Sequence, residues 1–270
     1  MIEDLERFTA VAQGKAPAEL VIQGAKIYQS FTGTFAAGDI AIDQGYIAGL
    51  GDYAGRETIA AEGRYALPGF IDGHIHVESS LLSPGEFARA VVPTGTTAVV
   101  TDPHEIANVA GIPGIRYMMN ASRNLPLDTF FMLPSCVPAT ELEDGGAHLL
   151  AKDLAPLLDE PRVLGLAEMM NVPGVLAGDP VVYDKLRMRH GLQIEGHAPG
   201  VMGKPLMAYA AAGISSDHEC VTAEEGWARL AAGMYLEIRE GSAAHNLAAL
   251  RSVINEQTAP FCLFVTDDRH

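Results

Sequence analysis

The 270-residue chain has only three cysteines, Cys136, Cys220 and Cys262, which lie far apart and form no CxxC pair. An odd count without framework spacing argues against a disulfide scaffold and reads as a reduced, cytoplasmic protein. No stretch approaches the ~18 consecutive apolar residues of a membrane-crossing helix. The opening MIEDLERFTAVAQG lacks the basic stretch and apolar core of a secretion signal. Positive charge is scarce, with 18 Lys and Arg against 34 Asp and Glu, a formal net charge of −16. Nucleic-acid phosphates and anionic lipid surfaces would repel such a chain, so neither is expected as a partner. A small neutral or cationic molecule, or a metal ion, suits it better. Repeats of fixed period and low-complexity tracts are also lacking.

What remains is a globular composition, 48% hydrophobic and 19% charged. The length fits one large domain, or one domain with a small companion. Residues 3–14 predict a short amphipathic helix with Leu5, Phe8 and Val11 at helical spacing. ELVIQGAKIYQ, GDIAIDQGYIAGLG and ETIAAEGRYALPG then read as short strands with Gly-rich turns, predicting a small antiparallel β unit, a β-sandwich, within residues 1–66. From Phe70 onward, apolar strands alternate with helices. Eight strands are expected, at 69–76, 96–102, 129–135, 162–168, 192–197, 214–218, 234–240 and 261–267, with helices at 84–92, 112–123, 147–158 and 223–232. This alternation predicts an α/β fold, a (β/α)8 barrel of TIM type over residues 67–270. The chain stops at His270, just after the eighth strand. It therefore reads as the N-terminal part of a longer protein, with a barrel lacking its last helix.

Chemistry gathers at the C-terminal ends of these strands, the catalytic face of such barrels. In LPGFIDGHIHVESS (67–80), His74 and His76 occupy alternate positions, so both point to one side of a strand and can grip one metal ion. Strand four ends at Glu168, strand five at His197, strand six at His218, and strand eight at Asp267 and Asp268. Four imidazoles, a bridging glutamate and an aspartate would hold two divalent ions side by side. Such a pair lowers the pKa of water towards neutrality, and the aspartate can also take its proton. Taken singly, each residue has an ordinary alternative. Glu168 could merely end a strand, Asp267 and Asp268 could cap a turn, and His197 and His218 could be turn residues. Their shared placement in one barrel frame favours the metal site. Glu78 and Ser79 follow the HxH, His104 and Glu105 end strand two, and Arg239 and Glu240 end strand seven. Arg239 and Glu240 read equally as a rim ion pair or as substrate contacts.

The string PGFIDGHIHVESS resembles the first-strand motif of the amidohydrolase superfamily. TDPHEIANVAG (101–111), PSCVPAT (134–140), AEMMN (167–171), EGHAPG (195–200), SSDHE (215–219), REGS (239–242) and FVTDDRH (264–270) are together similar to the adenine deaminase family, in unbroken order from about residue 20. The resemblance implies hydrolysis of adenine to hypoxanthine and ammonia at a binuclear centre. Glu168 would bridge where many relatives use a carboxylated lysine, with His74, His76, His197 and His218 as imidazole ligands. Asp267, ahead of Asp268, would bind metal and shuttle the proton, and His104 would assist. Glu78, Ser79, Glu105, Arg239 and Asp268 would line the substrate position. Two divalent ions are implied, Mn or Fe, with Zn an alternative that mixed His and carboxylate ligands also accept. A purine is the expected partner; self-association is left open. Family members carry a long region after TDDRH, which this chain lacks. Two rival readings follow: another cyclic amidohydrolase using the same metals, or an inactive metal-binding fragment that needs the missing region.

Overall fold

A computed structural model describes residues 2–140, 142–188 and 191–270. It divides into two units, Met1–Gly69 and Phe70–His270. In the first, Asp4 starts helix α1 (Leu5–Ala12) by accepting the Arg7 N–H on its side chain. Strands β1 (Ala18–Gln29), β2 (Thr34–Asp43), β3 (Tyr46–Gly51) and β4 (Gly55–Ala60) form a sheet in the order β3-β2-β1-β4, and β5 (Tyr65–Ala66) pairs with β1. The β1-β2 and β2-β3 pairs are antiparallel, whereas β4 and β5 run parallel to β1. The antiparallel unit read from the sequence is thus a mixed sheet. Apolar alternation fixes which side chains turn inward, not the direction of the neighbouring strand. Ile40 and Ala41, adjacent on β2, enter two different apolar clusters, so both faces of this sheet are covered.

The second unit runs β6 (Phe70–His76), α2 (Pro84–Val91), β7 (Thr96–Thr101), α3 (His104–Ala121), β8 (Asp128–Pro134), α4 (Ala151–Leu154), β9 (Val163–Met169), α5 (Val172–Ala177), α6 (Pro180–Arg187), β10 (Gln193–Gly196), α7 (Gly203–Ala211), β11 (Ser216–Asp217), α8 (Ala223–Ala231), β12 (Tyr235–Arg239), α9 (Leu247–Leu250), β13 (Cys262–Val265) and β14 (Asp267–Asp268). Among the described residues, two parallel ladders result, β10-β9-β8-β7-β6-β14 and β11-β12-β13. The Ser215 N–H donates to the Ile194 carbonyl at 2.8 Å and links β10 to the residue before β11. β13 and β14 are two halves of one bent strand. The first pairs with β12 and the second with β6. The order of neighbours therefore returns to its start, as in a TIM-type barrel whose ladder is incomplete between β10 and β11. Leu133, Leu166, Ile194 and Leu206 are buried in the large core cluster that welds helices to strands. β9 and β10 approach so closely that a Cβ at Gly165 would collide with the Gln193 backbone.

Two helices depart from the sequence reading. The helix expected at 112–123 begins at His104 and is interrupted at Gly111, whose φ is +59°. Pro113 sits in the first turn after that break, where proline imitates a helix start. The helix expected at 147–158 shortens to α4 and a 3-10 turn over Ala155–Leu157, which contains Pro156.

Candidate metal centre

The strand ends bring the six ligand candidates together. β6 presents His74 and His76 with their Nε2 atoms 3.2 Å apart. Glu168 Oε1 lies 2.9 Å from His76 Nε2 and 3.3 Å from His74 Nε2. Asp267 Oδ1 lies 3.0 Å and 3.6 Å from the same two atoms. Ligand atoms about 2.1 Å from a divalent ion stand roughly 3.0–3.4 Å apart in octahedral or tetrahedral geometry. The observed edges bracket that spacing, so these four groups fit one ion.

The other Glu168 oxygen faces the opposite way. Oε2 lies 2.7 Å from His197 Nδ1 and 3.7 Å from His218 Nε2. Among the described residues, four overlapping groups could hold a metal; two of them, His74–His76–Glu168–Asp267 and Glu168–His197–His218, together contain all six candidates. One carboxylate thus serves both groups. Glu168 is 1% exposed, and among the described residues its Oε1 has no hydrogen-bond partner and neither ring nitrogen of His218 has one. Buried polar atoms left so are what a missing ligand produces.

Electrostatics agree with the geometry. Burial works against charge on His74, but the carboxylates of Glu195, Asp267 and Glu168 outweigh it and raise its pKa well above the ordinary value. His76 is raised in the same way by Asp267, Glu105 and Glu168. Burial would raise Glu168, yet the hydrogen bond with His197 and the nearby imidazoles of His74 and His76 hold it well below the usual range. Asp267 is likewise depressed by His74 and His76. Raised imidazoles beside depressed carboxylates are the mutual stabilisation of opposite charges, and a metal ion binding the same atoms would compete with the imidazole protons.

Backbone geometry is unusual at both acids. Glu168 has φ +20° and Asp267 φ +58°, values L-residues rarely adopt. The Ser135 hydroxyl donates to the Glu168 carbonyl at 2.8 Å, and the Thr266 N–H, next to Asp267, donates to Asp72 at 3.0 Å.

The remaining candidates sit around this core. His104 Nδ1 lies 2.7 Å from Asp102 Oδ2, a contact that raises the imidazole to about 12 against the effect of burial. Glu105 Oε1 stands 3.4 Å from both His76 Nδ1 and His104 Nε2. Glu78 accepts the Ile106 N–H, and burial together with Glu105 pushes its carboxyl up to about 7. Ser79 donates to Asp268, which turns to that hydroxyl rather than to the imidazoles. Arg239 reaches 3.0 Å from Asp267 Oδ2 and also pairs with Glu219. Glu240, which could have been its rim partner, instead lies 2.9 Å from His245.

Four acids escaped the sequence reading. Asp102 lies within TDPHE and holds His104. Glu195 Oε2 stands 3.4 Å from His74 Nδ1, Glu237 Oε2 stands 3.6 Å from His218 Nδ1, and Glu219 lies beside His218 and Arg239. Glu195 and Glu237 each precede a strand-end polar residue by two positions. That period-two spacing, which turns both into the barrel, was the signal for them.

Residues 65–267 match the model of the amidohydrolase family, and the chain belongs to that family. Adenine deaminase 2 of Carboxydothermus hydrogenoformans is 54% identical over 269 residues, covering 100% of this chain and 47% of that protein. An adenine deaminase of Syntrophobacter fumaroxidans is 53% identical over 266 residues, covering 98% of this chain and 46% of that protein. The chain spans about half the length of these curated relatives. Among solved structures, a triazine hydrolase variant superposes with a TM-score of 0.65 at 17% identity, over 92% of this chain and 71% of that one. An atrazine chlorohydrolase from Arthrobacter aurescens, solved with zinc and atraton, gives a TM-score of 0.55 at 16% identity, over 85% and 72%. At such identities these likenesses speak for the fold.

Proposed function

We propose that this chain carries the metal centre of an adenine deaminase, which converts adenine and water to hypoxanthine and ammonia. The observation that carries the reading is Glu168, one buried carboxylate with its two oxygens turned towards two separate ligand sets. The relatives named adenine deaminase supply the substrate. His74, His76 and Asp267 would hold one divalent ion, His197 and His218 the other, and Glu168 would bridge them. Mn or Fe suits such a mixed set, and Zn is also compatible. When bound, the ions supply the acidity that makes water a nucleophile at neutral pH.

The protein's own groups do the rest. Asp267, at hydrogen-bond distance from His76, would accept the proton of the attacking water and return it to the ring or to the departing amine. His104, held by Asp102, would stabilise charge developing on the purine. Glu78, Ser79, Glu105, Arg239 and Asp268 would contribute the substrate contacts. Residues 67–270 would be the hydrolase domain, and residues 1–66 one layer of a β-sandwich, consistent with a sheet covered on both faces.

The test is elemental analysis of Mn-loaded protein together with ammonia and hypoxanthine release from adenine. Two ions per chain and turnover lost in Asp267→Asn are expected. A fully loaded protein that leaves adenine untouched while opening a cyclic amide would overturn the substrate assignment.

A further inference from the structure

The two halves of the cluster are held by different means. His74 and His76 sit on one strand, β6, and Asp267 pairs in register with Ile75 between them. Main-chain ladders therefore position that half. The His197–His218 half lies beside the interrupted stretch between β10 and β11, where ladder hydrogen bonds are few. Side chains from two outer helices take over there.

Tyr209 on α7 is fully buried. Its hydroxyl donates to the Met169 carbonyl at 2.6 Å and accepts the His197 N–H at 3.0 Å. A single oxygen thus ties the residue after Glu168 to His197. Arg229 on α8 is also fully buried. It donates to Asp217 Oδ2 at 2.8 Å, to the Val201 carbonyl at 2.7 Å and to the Ala198 carbonyl at 2.5 Å. Asp217 Oδ1 in turn accepts the N–H of Ala198 at 3.2 Å and of Glu219 at 3.1 Å. Ala198 follows His197, and Asp217 and Glu219 flank His218. The peptide groups around both histidines are therefore fastened to one buried ion pair.

We propose that Tyr209 and the Arg229–Asp217 pair are positioning residues that set the metal affinity of the His197–His218 position and leave the His74–His76–Asp267 position unaffected. The proposal rests on the two-ion reading above. None of the three side chains needs to touch metal or substrate. Each acts by fixing backbone whose small displacement would swing an imidazole away from the bridging carboxylate. Loss of such an outer partner typically weakens metal binding by about 10–100-fold.

The experiment uses chelator-cleaned protein titrated with Mn²⁺ alone, read by calorimetry and by elemental analysis after desalting. Tyr209→Phe removes one hydroxyl and little volume. It is expected to retain one ion tightly and bind the second about 10–100-fold more weakly. Asp217→Asn should do the same, and Arg229→Lys should rescue poorly, because an ammonium lacks the fork that reaches three acceptors. Backgrounds assign the position. With His76→Ala, Tyr209→Phe should weaken the remaining ion; with His197→Ala, it should change nothing further. Wild-type protein that takes up a single ion would sink the two-ion reading and the clamp with it. Two ions of unchanged affinity in Tyr209→Phe would sink the clamp alone. Equal weakening in both backgrounds would mark Tyr209 as a general packing residue and also overturn the proposal.

Discussion

One half of the candidate metal centre is built on one strand, β6, and the strand paired with it in register, whereas the other is assembled from two strand ends and two helices. His74 and His76 face the same way because a β-strand repeats every two residues. The peptides beside His197 and His218 are tied instead to Tyr209, Arg229 and Asp217. A local motif can thus be recognised, and survive, with little help. A site made across a gap in a sheet depends on side chains that carry no chemistry themselves.

Glu168 belongs to both halves, so its replacement is expected to have the largest effect. Glu168→Gln should abolish tight uptake at both positions, with affinities falling by more than the about 100-fold ceiling usual for outer partners. A variant still holding one ion tightly would show that the halves are independent of the bridge. Next come the single-ligand changes. His76→Ala and His197→Ala should each leave about one ion per chain by elemental analysis. If either emptied the whole centre, the contrast between the halves would fail.

Smaller effects are expected from the interior acids. Glu195 stands behind His74 and Glu237 behind His218, so each half has one carboxylate turned towards the far ring nitrogen of a histidine. Glu195→Gln and Glu237→Gln keep shape while weakening that support, and each should lower affinity by about tenfold at its own position. Mn²⁺ titrations in the His76→Ala and His197→Ala backgrounds distinguish the two. A Glu237→Gln change that weakened the His74 half instead would reverse the assignment.

The same contrast explains what the sequence revealed. Most strands were legible because each is a short apolar run closed by a polar residue, and the candidate ligands because they occupy those closing positions. Glu168, His197, His218 and Asp267 all stand where such a rule places them. Parallel pairing of β4 and β5 with β1 was hidden, since alternation is blind to direction. The break at Gly111 was hidden behind Pro113. Tyr209 was illegible for another reason. Its hydroxyl meets a carbonyl 40 residues away, at Met169, and nothing local distinguishes it from any core aromatic. Arg229 looks like the outer face of an amphipathic helix in AEEGWARLAA, yet it is wholly buried because Asp217 waits beneath it.

The smallest predicted effect is on pH dependence. In the metal-free protein His74 and His76 are raised above 6.5, while Glu168 and Asp267 are depressed below 4.5 and 3.8. A depressed acid stabilises the fold above its ordinary value, and that contribution is lost as pH falls through the folded pKa. A raised imidazole stabilises below 6.5, and that contribution is lost as pH climbs towards its folded pKa. The pairing of these imidazoles and carboxylates therefore favours the metal-free fold most between pH 4.5 and 6.5. Metal ions compete with those same protons, so their advantage should grow as pH rises above that window. The Tm increment produced by Mn²⁺, followed by thermal denaturation across that range and above it, should widen steadily with pH. In His76→Ala the widening should be shallower, because that half has lost one of its raised imidazoles, and an unchanged slope would show that protons at the His74–His76 half do not compete with the ion.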